Sequence, residues 1–260
     1  MKPRALILTG AGINADRELA EAFALAGADP RSVHLFDLGE NPRLIFDHQI
    51  LALPGGFSYG DHLGSGRLLA GFLRHRLGEA LGEVVARGLP VLGICNGFQV
   101  LVKAGLLPMS RGRIEQEASL VHNDSGRFED RWVEIGVEAR AARRSPWLTG
   151  LATLRCPVRH GEGKLVGSSP AAMDALEKAG HIAFRYLEAG QPATNYPANP
   201  NGSWHSAAGF LDASGLILGL MPHPEAALYN LQRPDWTRHG GGEGTTDCLR
   251  LFSNIVKALG

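Results

Sequence analysis

Cys95 lies in a segment whose sequence is typical of a reactive thiol. The apolar run 89–94 leads up to it, Gly93 and Gly97 flank it two residues away on either side, and apolar residues at helical spacing follow. This pattern predicts a buried strand, a sharp turn and a helix, with the thiol at the turn. Because the N–H groups and dipole of a helix N-terminus favour thiolate over thiol, we interpret Cys95 as a candidate nucleophile.

His223 and Glu225 are the candidate partners of this thiol. They occur as His223-Pro224-Glu225, directly after an apolar run. In an extended backbone, residues two apart point to the same side of the chain, so the carboxylate can accept an imidazole N–H. Such a contact fixes the tautomer and stabilises the imidazolium, which makes His223 a candidate general base and Glu225 its orienting residue.

An oxyanion site is predicted at Gly55 and Gly56. These glycines follow the apolar run 50–53, so they are expected at the edge of the sheet where the nucleophile also lies. Two residues without side chains leave their backbone N–H groups open to a ligand. The N–H of Asn96, the residue after the nucleophile, is the natural second donor.

The first half of the chain alternates predicted strands with predicted helices. Strands are expected at residues 6–8, 33–36 and 50–53 and in the run before Cys95, and helices at residues 16–26 and 67–87. An alternation of this kind predicts an α/β fold with a doubly wound, mostly parallel sheet flanked by helices.

The second half has a different pattern. Strands without intervening helices are expected at residues 132–137, 182–186, 207–211 and 216–221. They predict an antiparallel extension of the same sheet. Residues 191–206, rich in Pro, Asn and Gly, are expected to form a long loop, and residues 246–259 a closing helix. Because no internal repeat or linker is found, residues 1–260 are predicted to form a single domain.

Composition excludes several classes of protein. The chain has 260 residues, of which 44% are hydrophobic and 20% charged, and its formal net charge is +0. These values are typical of a soluble enzyme and give no electrostatic reason to expect nucleic acid or a membrane as partner. No apolar run reaches transmembrane length. Three cysteines, Cys95, Cys156 and Cys248, form neither a disulfide framework nor a C-x-x-C metal motif, so we expect a cytoplasmic protein without a metal.

Three segments together resemble the signatures of class I, or triad, glutamine amidotransferases. They are Pro54-Gly55-Gly56, Gly93-Ile94-Cys95-Asn96-Gly97-Phe98-Gln99 and His223-Pro224-Glu225. Further segments resemble the glutaminase component of phosphoribosylformylglycinamidine synthase. These are residues 55–61, 123–128, 160–164 and 196–203, which include the run Asn199-Pro200-Asn201-Gly202-Ser203.

The resemblance implies a flavodoxin-like amidotransferase domain and a complete reaction. Glutamine would be hydrolysed at Cys95 through a glutamyl thioester. The ammonia would pass to a separate ATP-dependent synthetase subunit that makes formylglycinamidine ribonucleotide in de novo purine synthesis. The residues implied to bind glutamine and the oxyanion are Gly55, Gly56, Phe57, Asn96 and Gln99. No cofactor is expected in this chain, ATP and Mg belong to the synthetase, and a small bridging subunit is left open.

Two other functions remain open at this point. One is a cysteine-elbow amidase or hydrolase of the same fold with another substrate, since a Cys-His pair alone does not specify glutamine. The other is a regulatory binding module without catalysis, which the intact triad residues disfavour. Ammonia release from glutamine, measured with and without the synthetase, separates them.

Several further residues have both a structural and a functional interpretation. Cys156 and Cys248 are expected to be structural. His160 and Glu162 are expected in a structural or docking loop rather than as a second acid–base pair. The run Gly240-Gly241-Gly242 lacks a following Lys-Ser/Thr, so we expect a loop there rather than a phosphate site.

Overall fold

The centre of the main sheet is built from short apolar runs that are buried throughout. The computed structural model describes residues 1–238 and 242–260, and the expectation for Gly240 and Gly241 lies outside these residues. The strands are β1 Arg4–Thr9, β2 Asp29–His34, β3 Ile50–Leu53, β4 Val91–Ile94, β5 Ala118–Val121, β6 Glu129–Val137, β7 Thr153–His160, β8 Lys164–Gly167, β9 Ile182–Glu188, β10 Gln191–Pro192, β11 Ala207–Leu211 and β12 Ile217–Leu220. The helices are α1 Asp16–Leu25, α2 Leu35–Glu40, α3 Arg67–Arg76, α4 Gly78–Ala86, α5 Asn96–Ala104, α6 Ala139–Ala142, α7 Pro170–Ala179 and α8 Asp247–Leu259.

One half of the main sheet is parallel. Its strand order is β2-β1-β3-β4-β12, and each neighbouring pair is parallel. Every residue of β3, β4 and β12 is buried, as expected for strands covered by helices on both faces. The order is that of a flavodoxin-like sheet, with β12 in the place of the fifth strand. The predicted parallel core is therefore confirmed.

The other half of the main sheet is antiparallel. From β12 the order continues β11-β9-β6-β7, with β10 paired to β9, and all of these pairs are antiparallel. This confirms the predicted antiparallel extension. Strands β5 and β8 form a separate two-stranded sheet that the sequence did not indicate. Strands from both halves of the chain thus share one sheet.

Two predicted elements have different boundaries in the structure. The prediction of a single helix at residues 67–87 is wrong. The chain leaves helical geometry at Leu77 (φ −118°, ψ 8°), which separates α3 from α4. Leu77 is buried at this break and packs into the core. The strand expected at residues 33–36 ends at His34, whose imidazole accepts the N–H of Phe36 at 3.3 Å and caps α2.

The parallel core brings three loops together at one edge of the sheet. Gly55 and Gly56 follow β3, Cys95 follows β4, and His223 lies shortly after β12. Strands β3, β4 and β12 are direct neighbours, so their carboxyl ends lie side by side. Ligand sites of open α/β sheets occur at such carboxyl ends.

Candidate active site

Cys95 occupies a strained turn between β4 and α5. Its backbone has φ 51° and ψ −105°, and its N–H donates to the carbonyl of Leu220 at 2.8 Å. A side chain at Gly93 would lie 2.7 Å from the carbonyl oxygen of Gly97, and one at Gly97 would lie 2.0 Å from that of Leu53. Both glycines are therefore required by close packing of strand, turn and helix. The thiol is only 4% exposed and contacts the carbonyl of Arg159 at 3.5 Å.

His223 and Glu225 form a buried hydrogen-bonded pair. Nδ1 of His223 lies 2.6 Å from Oε1 of Glu225, and the backbone N–H of His223 donates to the carbonyl of Pro157 at 2.8 Å. Burial alone would lower the pKa of His223, but the charges of Glu225 and Cys95 outweigh it and raise the pKa to about 10. The imidazole is therefore protonated at neutral pH.

Gly55 packs closely against both His223 and Cys95. A side chain on Gly55 would lie 2.8 Å from Cε1 of His223 and 3.5 Å from Cβ of Cys95. Nε2 of His223 is buried and has no hydrogen-bond partner within the described residues. The structure thus brings together the three residues predicted as a triad and leaves the second ring nitrogen available for proton transfer.

Two backbone N–H groups next to Cys95 are available as oxyanion donors. Neither the N–H of Gly56 nor that of Asn96 has an acceptor among residues 1–238 and 242–260. Gly56 has φ 148°, and a side chain there would lie 2.5 Å from the carbonyl oxygen of Gly12. The N–H of Phe57 donates to that same oxygen at 2.7 Å, so Phe57 is no oxyanion donor. This bond instead fixes the glycine loop to the segment after β1.

The side chains of Asn96 and Gln99 form hydrogen bonds within the protein rather than facing an open cavity. The amide of Asn96 donates to Oε1 of Gln99 at 2.9 Å and its Oδ1 accepts the N–H of Ser58 at 3.2 Å. Nε2 of Gln99 donates to the carbonyl of Glu162 at 2.6 Å. Gln99 is 3% exposed and does not line the cavity beside Cys95. In this structure the amide of Gln99 is used within the protein, and the expectation that Gln99 contacts glutamine stays a prediction.

A cavity of about 230 Å³ opens beside the thiol. Its walls are formed by Asn14, Ala15, Glu18, Gly56, Phe57, Cys95, Phe128, Asp130, Arg159 and His223. The rings of Phe57 and Phe128 lie 6.2 Å apart and are both partly exposed. Glu18, Asp130 and Arg159 place both signs of charge around the cavity, which suits a ligand with an ammonium and a carboxylate group.

Sequence reasoning missed the charged residues of this cavity. Phe128 was part of a noted segment, but Glu18, Asp130 and Arg159 had no local signal. Asp130 and Arg159 are register partners on β6 and β7, in the antiparallel half. They line the cavity because the antiparallel half packs beside the end of β4. No short sequence motif predicts that packing.

His160 is a structural residue and does not pair with Glu162. Its Nδ1 lies 3.2 Å from Oδ1 of Asn123, which also accepts the N–H of Gly163 at 2.9 Å. Burial, together with the charge of His223, lowers the pKa of His160 to about 3. The imidazole is therefore neutral, while the carboxylate of Glu162 accepts the N–H of Ser65 at 3.2 Å. The alternative of a second acid–base pair is wrong for this geometry.

Cys156, Cys248 and a candidate metal cluster found among the described residues lie outside this site. Cys156 and Cys248 are buried free thiols. Their mutual hydrogen bond, and burial, raise the pKa of Cys156. Within the described part of the chain, the side chains that could hold a metal ion together are Asp174, Glu177 and His205. His205 already pairs with both carboxylates, at 2.9 and 3.1 Å.

Comparison with known proteins identifies the family. The family model described as CobB/CobQ-like glutamine amidotransferase domain matches residues 2–258. The phosphoribosylformylglycinamidine synthase subunit PurQ of Dehalococcoides mccartyi is 42% identical over 258 residues, covering 98% of this chain and 97% of the relative. The subunit of the same name from Treponema denticola is 42% identical over 240 residues, covering 86% and 88%.

Solved structures give the same result. A chain in the structure of PurLQS from Thermotoga maritima matches with a TM-score of 0.75 and 31% identity, covering 100% of both chains. A glutamine amidotransferase from Thermotoga maritima, with a TM-score of 0.52 and 14% identity, covers 99% of this chain and 91% of its own and shares the fold alone. The chain therefore belongs to the CobB/CobQ-like glutamine amidotransferases and, within them, to the PurQ subunits of phosphoribosylformylglycinamidine synthase. Among the described residues, none of the helices combines the length and apolar character needed to cross a bilayer.

Proposed function

We propose that this chain is the glutaminase subunit of phosphoribosylformylglycinamidine synthase and hydrolyses glutamine at Cys95. One observation carries the proposal: the strained thiol lies beside the buried His223–Glu225 pair, at an edge where two backbone N–H groups have no acceptor in the described chain. A nucleophile, a base with its orienting residue and an oxyanion site are the parts that acyl transfer needs.

The first half of the reaction forms a thioester. The Cys95 thiolate attacks the side-chain carbonyl carbon of glutamine, and the carbonyl oxygen becomes an oxyanion bound by the N–H groups of Gly56 and Asn96. When the C–N bond breaks, Nε2 of His223 donates its proton to the departing nitrogen, which leaves as ammonia. Each oxyanion donor of this kind lowers the barrier by about 3–4 kcal/mol.

The second half hydrolyses the thioester. Nε2 of His223 accepts a proton from water as the water oxygen attacks the thioester carbon. The C–S bond then breaks, glutamate leaves, and the Cys95 thiolate is restored beside the imidazolium. Glu225 holds the imidazole by its Nδ1 side throughout and stabilises the positive charge.

The cavity supplies contacts for the amino-acid end of glutamine. We assign the α-carboxylate to Arg159 and the α-ammonium to Glu18 and Asp130, because these are the charged side chains in the cavity wall besides the catalytic His223. Phe57 and Phe128 cover the aliphatic part of the substrate. Gly55 keeps the imidazole and thiol close, and Gln99 supports the donor Asn96 from behind.

The ammonia is consumed by a partner. The relatives are named as subunits of phosphoribosylformylglycinamidine synthase, and the solved relative belongs to a PurLQS structure. These names support an assembly in which a PurL synthetase, with ATP and Mg, uses the ammonia to make formylglycinamidine ribonucleotide, and PurS is the small third subunit. The chain itself needs no cofactor or metal and acts as one domain, residues 1–260, in the cytoplasm.

The test compares glutamine with ammonia as nitrogen source. The complex with its synthetase and bridging subunits is assayed with wild type and with Cys95→Ser. We expect Cys95→Ser to abolish glutamine-dependent synthesis and glutamate formation while ammonia-dependent synthesis stays within twofold of wild type. Retained glutamine-dependent synthesis in the variant would contradict the proposal. Full amidase activity of the free chain on other amides, without glutamine hydrolysis, would support the amidase alternative.

A further inference from the structure

Glu162 is hydrogen-bonded to Gln99, the residue that supports Asn96, and it also lies beside a second groove. Its carbonyl oxygen accepts Nε2 of Gln99 at 2.6 Å, and its carboxylate accepts the N–H of Ser65 at 3.2 Å. It also lies in the wall of a separate groove of about 610 Å³ that contains none of the triad residues. The catalytic steps above make no use of this carboxylate.

The carboxylate is connected, through Ser65, to a strained turn that directly follows the glycine loop after β3. Residues Ser58–Asp61 form a single turn in which Tyr59 and Asp61 both have φ 54°. Non-glycine residues adopt this left-handed conformation only where surrounding contacts hold it. Ser65 holds the far end of the turn, because its hydroxyl donates to Oδ2 of Asp61 at 2.9 Å.

The near end of the turn is joined to the other oxyanion donor. The N–H of Ser58 donates to Oδ1 of Asn96 at 3.2 Å, and the amide of Asn96 donates to Gln99 at 2.9 Å. Since Gln99 in turn donates to the carbonyl of Glu162, these hydrogen bonds and the backbone of the turn together close a ring. The ring consists of Ser58, Asp61, Ser65, Asn96, Gln99 and Glu162.

We propose that Glu162 is a positioning residue for the oxyanion site, acting through the bond from its carboxylate to the N–H of Ser65. That bond fixes Ser65, Ser65 fixes the strained turn, and the turn fixes Gly56 on one side and Asn96 on the other. Glu162 itself touches neither substrate nor reacting atoms. The inference rests on the proposed glutaminase function and adds a residue that controls how well the two donors are placed.

Oxyanion donors are sensitive to small displacements. They stabilise charge that develops only in the transition state, so their misplacement lowers kcat more than it raises KM. A shift of the order of 1 Å in a reacting group costs up to roughly a hundredfold in rate. Loss of one supporting bond at a distance is therefore expected to lower kcat by roughly tenfold.

Charge and hydrogen bonding at Glu162 can be separated by two substitutions. Glu162→Gln removes the charge but keeps an acceptor oxygen for Ser65, whereas Glu162→Met removes both at similar length. The charge must be tested separately from the hydrogen bond because the charge of Glu162 interacts with those of Asp61 and Lys103. Glu79→Met is the matched control, since Glu79 is exposed on α4 and makes no ion pair or side-chain hydrogen bond with the described residues.

The experiment measures kcat and KM for glutamine, and the ammonia-dependent rate, in the assembled complex with each variant. We expect Glu162→Met to lower kcat about tenfold with KM within twofold, Glu162→Gln to keep at least about a third of kcat, and Glu79→Met to match wild type. Ammonia-dependent synthesis should be unchanged in all three. Wild-type kcat in Glu162→Met overturns the proposal, as does Glu162→Gln being as slow as Glu162→Met.

A parallel assay of Cys95→Ser keeps this inference distinct from the function it rests on. If Cys95→Ser retains glutamine hydrolysis, the proposed function fails whatever Glu162 does. If Cys95→Ser is inactive and Glu162→Met behaves as wild type, only the role of Glu162 fails. A loss of folding would also lower the apparent kcat without changing KM. The thermal unfolding of each variant is therefore measured, and kcat is calculated for the folded fraction only.

Discussion

His223 presents Nδ1 to Oε1 of Glu225 at 2.6 Å, while its Nε2 is buried without a hydrogen-bond partner among the residues described. One ring nitrogen is thus used to orient the imidazole, and the other remains for proton transfer. Both side chains are buried, so water does not screen the interaction. The separate roles of the two ring nitrogens determine how substitutions of His223 and Glu225 should affect turnover.

Replacing the two residues separately should give unequal losses. His223→Ala removes the proton carrier, whereas Glu225→Gln keeps a side chain that can still hold Nδ1 and removes only the charge that stabilises the imidazolium. We therefore expect Glu225→Gln to lower glutamine turnover less than His223→Ala does. The measurement is kcat for glutamate release in the complex. Equal losses, or a larger loss in Glu225→Gln, would remove Glu225 from the orienting role.

The raised pKa of His223 predicts how stability depends on pH. Its value is about 10 in the folded protein and about 6.5 in an unfolded chain. A raised folded-state pKa contributes stability that is fully present below about pH 6.5, decreases between 6.5 and 10, and is lost above 10. We expect the free energy of unfolding of wild type minus that of His223→Gln, measured in urea, to fall across this window. A difference that is constant from pH 6 to pH 10.5 would contradict the charge assignment.

Gly55 should not tolerate a side chain. Its Cβ would lie 2.8 Å from Cε1 of His223, so alanine must displace the imidazole. We expect Gly55→Ala to lower glutamine turnover by roughly a hundredfold, with ammonia-dependent synthesis unchanged. Gly82→Ala is the control, because nothing lies within 4 Å of its Cβ position and alanine favours the helix α4. Near-normal glutamine turnover in Gly55→Ala would show that the imidazole does not need its present position.

Arg159 should determine the affinity for glutamine. As the one basic residue assigned to the α-carboxylate, it forms a charge-assisted contact of about 1.5–3 kcal/mol, or roughly 10- to 100-fold in binding. We expect Arg159→Met to raise KM for glutamine by at least about tenfold with a much smaller change in kcat. Arg76→Met, an exposed arginine at the end of α3 that lies outside the cavity, is the control. An unchanged KM would place the α-carboxylate elsewhere.

The residues predicted from the sequence share one property: each was indicated by a pattern of adjacent residues in the chain. Cys95 between Gly93 and Gly97, and the glycine pair after β3, could be interpreted from the chemistry of a few adjacent residues. The contact between His223 and Glu225 was also predicted from a local pattern. The extended backbone assumed for it is wrong, because Pro224–Ala226 form a 3-10 turn that brings the carboxylate to Nδ1 of His223. The parallel core followed from the alternation of apolar runs and helical patterns.

The parts that the sequence did not predict depend on distant segments. Arg159 lies beside the cavity because β7, although last in the strand order, contacts the turn after β4, where the carbonyl of Arg159 lies 3.5 Å from the Cys95 sulfur. Glu162 contacts Ser65 across 97 positions of the chain. The family resemblance implied Gln99 as a binding residue, and no local pattern showed that its amide donates to the carbonyl of Glu162. The break at Leu77 had no signal beyond the glycine that follows it, which helices also tolerate.

In the proposed reaction, Cys95 forms the covalent bond to the glutamine side chain. The most direct measurement is mass spectrometry of the complex after reaction with a glutamine analogue that carries an electrophile at the position of the amide, followed by peptide mapping. We expect one label per chain, on Cys95, with excess glutamine slowing the labelling. We expect no label in Cys95→Ser, although Cys156 and Cys248 remain. Absence of label on Cys95, or labelling of Cys156 or Cys248 at the same rate, would contradict the proposed role of Cys95.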